Sequence, residues 1–261
     1  LDKSSRFAAA SGTTAAGLLA ALSPDFAHGQ KVPPGDARIK TERVEIPATA
    51  GHGKINALVA RPASASGALP VVLVIHENRG LNPHIEDIAR RLAVAPDLLT
   101  SVGGYPGDED KAREAFAKID QAKAREDFVA AAAFASKISG GNGKLGAVGF
   151  CYGGGIVNYL ATRSPELIAG VPFYGAAAPT ADVPKIKAEL MIVFAENDER
   201  INTMWPAYEA ALKAAGVKYT AFNYAGTQHG FNNDTTPRYD EKSAGLAWGR
   251  TVALFNRALR A

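Results

Sequence analysis

The chain has 261 residues, 47% of them apolar and 21% charged, a composition that buries a core of ordinary size and fits one globular domain. Its 29 Lys and Arg against 26 Asp and Glu leave a net charge of only +3, and no basic cluster is interleaved with aromatics, which argues against nucleic acid as a partner. A single cysteine excludes an internal disulfide and a cysteine-built metal site, and the five histidines are scattered without ligand spacing, so no metal is expected.

At the N-terminus, Lys3 and Arg6 precede a weakly apolar, Ala- and Gly-rich run over residues 7–22, followed by Ala27-His28-Gly29. The run resembles an export signal in the twin-arginine register but lacks the adjacent arginine pair, and it is too short and too weak to span a membrane. Two readings stay open. One is a helical extension, residues 1–37, packed on a domain of residues 38–261 in a cytoplasmic protein; the other is an export signal, which would place the protein in the periplasm. Leu1 in place of Met points to a natural start upstream or to an engineered one.

Residues 39–46 and 54–61 have the pattern of two strands, antiparallel across a turn at Gly51 and Gly53. Val71-Val72-Leu73-Val74-Ile75 is apolar on both faces, as a central parallel strand is. Asn82-Pro83 then opens a helix, an N-cap followed by proline at the first helical position, with Ile85, Ile88, Ala89 and Leu92 as its apolar stripe. Residues 108–137 are helical in two pieces, and Lys111, Arg113, Lys118, Lys123 and Arg125 alternate with Asp and Glu as a solvated face. Strands at 143–148, 189–195 and 218–224 alternate with helices at 156–163, 203–215 and 239–259, the last with Trp248, Val252, Phe255 and Leu259 as core anchors. Such alternation predicts an α/β fold, a mostly parallel sheet with helices on both faces.

The chemistry centres on Gly149-Phe150-Cys151-Tyr152-Gly153 between a strand and a helix. This is the G-x-nucleophile-x-G elbow of an α/β-hydrolase, with sulfur where serine is commoner. The glycines allow a cramped strand-to-helix turn, and the helix N-terminus behind the sulfur favours a thiolate. Asp198 follows the strand at 189–195 and His229 the strand at 218–224, which gives the chain order nucleophile, acid, histidine that the fold uses. Glu196 and Glu199 compete with Asp198 for the acid role. The loop after the strand ending at His76, Glu77-Asn78-Arg79-Gly80, supplies one oxyanion-hole amide, and the residue after the nucleophile the other, which nominates the N–H groups of Asn78 and Tyr152. Tyr105, Trp205 and Phe231 are candidates for the walls of a substrate pocket.

With these residues in place, the chain resembles the dienelactone hydrolases, or carboxymethylenebutenolidases, from about Arg38 onward. The resemblance rests on Glu77, the Cys151 elbow, Asp198, His229 with Phe231, and the segments Gly103-Gly104-Tyr105-Pro106-Gly107 and Thr236-Pro237-Arg238-Tyr239-Asp240. It implies a role for Glu77: holding the cysteine neutral at rest and releasing it when substrate displaces the contact. It implies a cofactor-free hydrolase of small esters or lactones acting through a thioester. A general carboxylesterase on the same fold, or a ligand-binding or thiol-sensing protein that does not turn over, is the alternative. Oligomeric state is left open.

Two departures stand against the family pattern. About six residues that family members carry between the first helix and the Ala95-Pro96-Asp97 segment are missing: Arg90-Arg91-Leu92-Ala93 runs straight into Val94 with no glycine between. Either the helix is cut short and a strand frayed, or residues are missing between Ala93 and Val94; the second is the expectation, because a true deletion would disturb the sheet beside Glu77. The other departure is Asn233, in the place of an arginine that clamps a substrate carboxylate four residues after the histidine. Arg200 or Arg238 could substitute, with surface ion pairing as their expected use.

Overall fold

The computed structural model describes residues 31–65, 67–92 and 94–260, and the structural statements below concern these. The expected N-terminal helix or export signal falls mainly on residues 1–30, and Ala93 is the junction residue before β4; both lie outside the described residues. From Lys31 the chain lies against the first helix, where the amides of Lys31 and Val32 donate to Asp87 Oδ1 at 3.0 and 2.6 Å.

Eight strands make one sheet in the order β1-β2-β4-β3-β5-β6-β7-β8. β1 (Ile39–Ala48) and β2 (Gly53–Pro62) form the expected antiparallel hairpin, and β2 runs antiparallel to β4 (Val94–Asp97). The rest is parallel: β3 (Leu69–Ile75), β4, β5 (Gly141–Phe150), β6 (Leu167–Phe173), β7 (Glu189–Asn197) and β8 (Tyr219–Gln228). Helices cover both faces, as the alternation of elements predicts: α1 (Pro83–Leu92), α2 (Glu109–Ala117), α3 (Gln121–Ala135), α4 (Tyr152–Arg163), the short α5 (Glu199–Asn202), α6 (Trp205–Ala214) and α7 (Glu241–Arg260).

Period-two alternation divides each central strand between two cores. Val71, Leu73 and Ile75 face a core shared with Phe128 and Ala131 of α3, Val157 and Leu160 of α4 and Tyr208 and Leu212 of α6. Val72 and Val74 face the other, with Ile85 and Ile88 of α1 and Leu254 and Leu259 of α7. Local chemistry sets the helix boundaries. Asn82 Oδ1 caps α1 by accepting from Ile85 N–H at 3.0 Å. Asp108 caps α2 and Asp120 caps α3, which is why the predicted helix over 108–137 is two. In α7 the buried stripe is Ala244, Ala247, Thr251, Leu254, Phe255 and Leu259, whereas Trp248 and Val252 are only half-buried. Trp248 lies at the stripe's edge with the Arg91 guanidinium 5.6 Å from its ring centroid.

The predicted solvated face of α3 has one exception. Asp127 is buried, and its carboxylate takes the His52 backbone N–H at 2.8 Å and the His52 ring Nδ1 at 2.5 Å. This staples the β1–β2 turn to α3.

The sheet is continuous from β3 to β8 and interrupted inside, between β2 and β3. Helix α1 is not cut short, since it extends to Leu92, but β4 has only four residues. β4 pairs with β2 over its whole length and with β3 at Leu73↔Val94 alone. Beyond that point Ala60–Pro62 of β2 and residues 69–72 of β3 have no described strand between them. A cavity of about 370 Å³, bordered by Val59, Ala60, Leu69, Val71 and Val94, opens there.

Candidate active site

Parallel strands in register deliver their C-terminal ends to one edge of the sheet, where α/β folds collect functional groups. Ile75 is level with Gly149, Phe150 with Phe173, Phe173 with Val193, and Asn197 with Gln228. The residues just beyond these ends are Glu77, Cys151, Tyr174, Asp198 and His229. One edge therefore gathers all four side chains expected to carry chemistry, and a tyrosine that sequence reasoning does not single out.

Cys151 sits at φ 55° and ψ −112°. That conformation is strained for any residue with a Cβ, and it persists only where its surroundings dictate it. Here they do. A Cβ on Gly149 would stand 2.2 Å from the Gly153 carbonyl oxygen, and one on Gly153 2.2 Å from that of Ile75. The chain passes from β5 into α4 at the cysteine itself, earlier than the apolar pattern of residues 156–163 suggests, because three consecutive glycines carry no pattern. The backbone N–H of Tyr152, next in the chain to Cys151, favours the thiolate form of its sulfur. The Asn78 N–H has no hydrogen-bond partner among the described residues, so both expected oxyanion-hole amides are free of other backbone bonds.

His229 Nδ1 lies 2.5 Å from Asp198 Oδ2, and Asp198 is buried at the start of α5. Of the competing acids, Glu196 accepts the Gly226 N–H at 2.7 Å and Glu199 is exposed, so Asp198 is the carboxylate in contact with the ring. The Tyr174 ring packs 5.0 Å from the His229 ring, and Tyr174 is the second described non-glycine residue with positive φ, at 37°. Its backbone N–H reaches Val193 O at 2.7 Å while Phe173 O takes the Cys151 N–H at 3.0 Å. The two strained residues thus end adjacent strands.

Glu77 is buried, and its Oε2 accepts from Asn233 Nδ2 at 3.0 Å. Its backbone is braced separately. His76 Nδ1 lies 2.5 Å from the Glu77 carbonyl oxygen, while His76 Nε2 accepts the Leu98 N–H at 3.1 Å. With Nε2 an acceptor, the ring proton is on Nδ1. Complete burial pushes the His76 pKa down and keeps the ring neutral, against the pull of Asp97 and Glu77.

The thiol of Cys151 is pushed up to about 11, first by burial and then by the Glu77 carboxylate. The Tyr152 amide, Arg200 and Arg238 oppose the shift without cancelling it. Burial and the Glu77 carboxylate thus outweigh the groups that favour the thiolate, the helix N-terminus among them. The expected surface ion pairs of Arg200 and Arg238 are not formed with any described residue. The Arg238 guanidinium instead lies over Gly230, next to His229, 3.3 Å from where a Cβ would project.

The three proposed pocket-wall residues separate. Tyr105 donates its hydroxyl to Glu109 Oε1 at 2.8 Å, and Arg79 pairs with Glu109 at 3.1 Å, on the loop that follows Glu77. Trp205 is half-buried among Phe194, Tyr208 and Tyr219. Phe231 is fully buried against Tyr174, Tyr224 and Phe173, so its ring is core beneath the site and not a wall of it. Tyr174 and His76 escape sequence reasoning, and Asn233, noted there only as the place of a missing arginine, is here the partner of Glu77. Among the described residues no three His, Cys, Asp or Glu side chains converge as metal ligands, and no helix is long and apolar enough to cross a membrane.

This geometry has relatives. A Synechocystis protein provisionally named a carboxymethylenebutenolidase is 33% identical over 246 residues, covering 85% of this chain and 98% of its own. A hydrolase fragment of Escherichia coli K12, YghX, is 46% identical over 113 residues, which are 41% of this chain and 97% of the fragment. The crystal structure of a provisionally named dienelactone hydrolase from Klebsiella pneumoniae superposes with a TM-score of 0.73 at 29% identity, covering 83% of this chain and 98% of that one. The sequence model of the dienelactone hydrolase family matches residues 55–259. The chain belongs to the dienelactone hydrolase family of α/β-hydrolases and is a hydrolase acting on ester bonds.

Proposed function

We propose that the protein hydrolyses small esters or lactones with Cys151 as nucleophile and a thioester as intermediate. The observation that carries the reading is the strained backbone of Cys151, held between two glycines that no side chain could replace. Strain of this kind persists where function requires a side chain to be presented at a strand end.

In the proposed cycle substrate entry turns Glu77 from the sulfur, and His229 takes the thiol proton on Nε2, since Nδ1 is engaged with Asp198. Sulfur attacks the acyl carbon, and the oxyanion is received by the N–H groups of Asn78 and Tyr152. Collapse breaks the C–O bond, and the imidazolium gives its proton to the departing alkoxide, which in a lactone stays tethered to the acyl group. Water then gives a proton to His229 as its oxygen attacks the thioester; the C–S bond breaks and the thiolate is reprotonated by the imidazolium. Asp198 holds the ring tautomer and stabilises its cation throughout. No cofactor enters these steps.

The test is turnover of p-nitrophenyl acetate by wild type and Cys151→Ala. Sustained release that the alanine variant lacks supports the reading; a single equivalent, as from a thiol sensor, or an active alanine variant sinks it. On the substrate side, Asn233 brings no guanidinium fork to the site, so a carboxylated lactone and its methyl ester are expected to have similar kcat/KM. A large preference for the carboxylated lactone that disappears in Arg200→Ala or Arg238→Ala would move the clamp to the arginine concerned.

A further inference from the structure

A buried carboxylate without a cation beside it is costly unless hydrogen bonds hold it. The only side-chain hydrogen bond to the Glu77 carboxylate among the described residues comes from Asn233, at 3.0 Å and across 156 residues of sequence. Asn233 is itself fixed. Its Oδ1 accepts both the backbone N–H of Thr235 at 3.1 Å and the Thr235 hydroxyl at 2.6 Å, and the residue is buried. With Oδ1 occupied twice, the amide can present only its NH₂ to Glu77. From these contacts we propose that Asn233 is a positioning residue that holds the Glu77 carboxylate toward the Cys151 sulfur, setting the resting reactivity of the thiol through Glu77.

The surroundings allow that influence. Charged or titratable groups near the sulfur are Glu77, Arg200 and Arg238, with the buried Tyr174 hydroxyl and the His229–Asp198 pair beside it. Around Glu77 itself are Cys151, Tyr174, Glu109 and the neutral His76. Both arginines are exposed, so their attraction for a thiolate is screened, whereas Glu77 acts from within the protein. An arginine at position 233 would neutralise Glu77. An amide leaves its charge in place and fixes only its direction, so the sulfur feels the full repulsion. Removing the amide donor frees the carboxylate to turn away from the sulfur, and that change eases thiolate formation.

The inference rests on the reading of Glu77 as the group that keeps the sulfur neutral, and the experiment separates the two. Because Cys151 is the sole cysteine, iodoacetamide reports on it alone. Alkylation rate is measured against pH for wild type, Glu77→Gln, Asn233→Ser and the double variant, with a melting curve for each. Serine keeps a hydroxyl acceptor for the Thr235 N–H, so the turn survives, but is too short to reach Glu77. The expected result is a midpoint lowered by about one pH unit in Asn233→Ser, which is about tenfold faster alkylation at pH 7. In the Glu77→Gln background the same substitution is expected to add nothing further. An unchanged midpoint in Asn233→Ser beside a shifted one in Glu77→Gln overturns the role of Asn233 and leaves that of Glu77 intact. An unchanged midpoint in Glu77→Gln overturns both. Equal shifts from Asn233→Ser in both backgrounds overturn action through Glu77. Asn233→Ala, judged by the same outcomes, replaces the serine variant if that one does not fold.

Discussion

Two histidine–aspartate pairs in this molecule have the same local geometry, Nδ1 to Oδ2 at 2.5 Å with the carboxylate buried, yet they sit in different worlds. His229 and Asp198 follow adjacent parallel strands, and the ring lies against Tyr174 at the edge where Cys151 emerges. His52 and Asp127 join a hairpin turn to the middle of α3, and Asp127 also takes the His52 amide. In the second pair the carboxylate satisfies backbone as well as ring, which is what a structural staple does. In the first it meets the ring alone and leaves Nε2 for other work. What separates a candidate triad from a brace is therefore the place of the pair along the sheet.

The comparison breaks most sharply on removal of the groups themselves. Cys151→Ala or His229→Ala is expected to lower ester turnover on the order of 10⁵–10⁶-fold, because residues acting as a unit fail together. His52→Gln is expected to stay within about twofold of wild type; a steady-state assay on one aryl ester decides, and comparable losses in the two histidine variants would erase the distinction. Next, Asp198→Asn should reduce kcat by about 10³–10⁴-fold with an unchanged melting temperature, since the amide favours the wrong ring tautomer. A fall in melting temperature that accounts for the lost activity would make Asp198 a brace like Asp127.

The edge pair also lies near a thiol whose ionisation burial and Glu77 disfavour. With the Cys151 thiol pushed up to about 11, alkylation by iodoacetamide should rise with pH and level off only near that value. At pH 7 it is expected to run about 300-fold slower than for an unperturbed cysteine. A midpoint near or below pH 8.5 would show that the helix N-terminus outweighs burial and Glu77. The smallest effect belongs to the staple. Asp127→Asn should cost about 1–3 kcal/mol of stability by removing a charged acceptor from a buried site. Amide exchange in β1 and β2 should quicken while that in β5 and β6 is unchanged. Uniform exchange across the sheet would show that the hairpin opens only with the whole domain.

Much of the fold was legible because its signals are local. The run from Val71 to Ile75 is apolar on both faces, Asn82-Pro83 marks a helix start, and glycines flank Cys151; each reports on neighbours a few residues away. The Asp198–His229 contact was legible by chain order within a known fold, though geometry was needed to set Glu196 and Glu199 aside. Other features depend on chain segments far apart in sequence. Nothing in the segment around Asp127 distinguishes its carboxylate from those of its solvated neighbours, because its partner is 75 residues away. The bond from Asn233 to Glu77 and the positive φ of Tyr174 are likewise consequences of tertiary packing. Phe231 misled for the opposite reason: it neighbours His229 in sequence, but its side chain turns into the core.

The four-residue β4 leaves the sheet with two inner strand edges facing each other across a slot. Unpaired edges invite foreign strands, and a partly open sheet is a route to swapping and fibril growth. The residues lining these edges are poor templates. Pro62 closes β2 and Pro70 lies near the start of β3, and neither offers a backbone N–H to an incoming chain. The charged and exposed Arg61 stands between Ala60 and Pro62. An invading strand would meet interrupted ladders on both sides, because the two prolines end the hydrogen-bonding potential of the strands that flank the short β4.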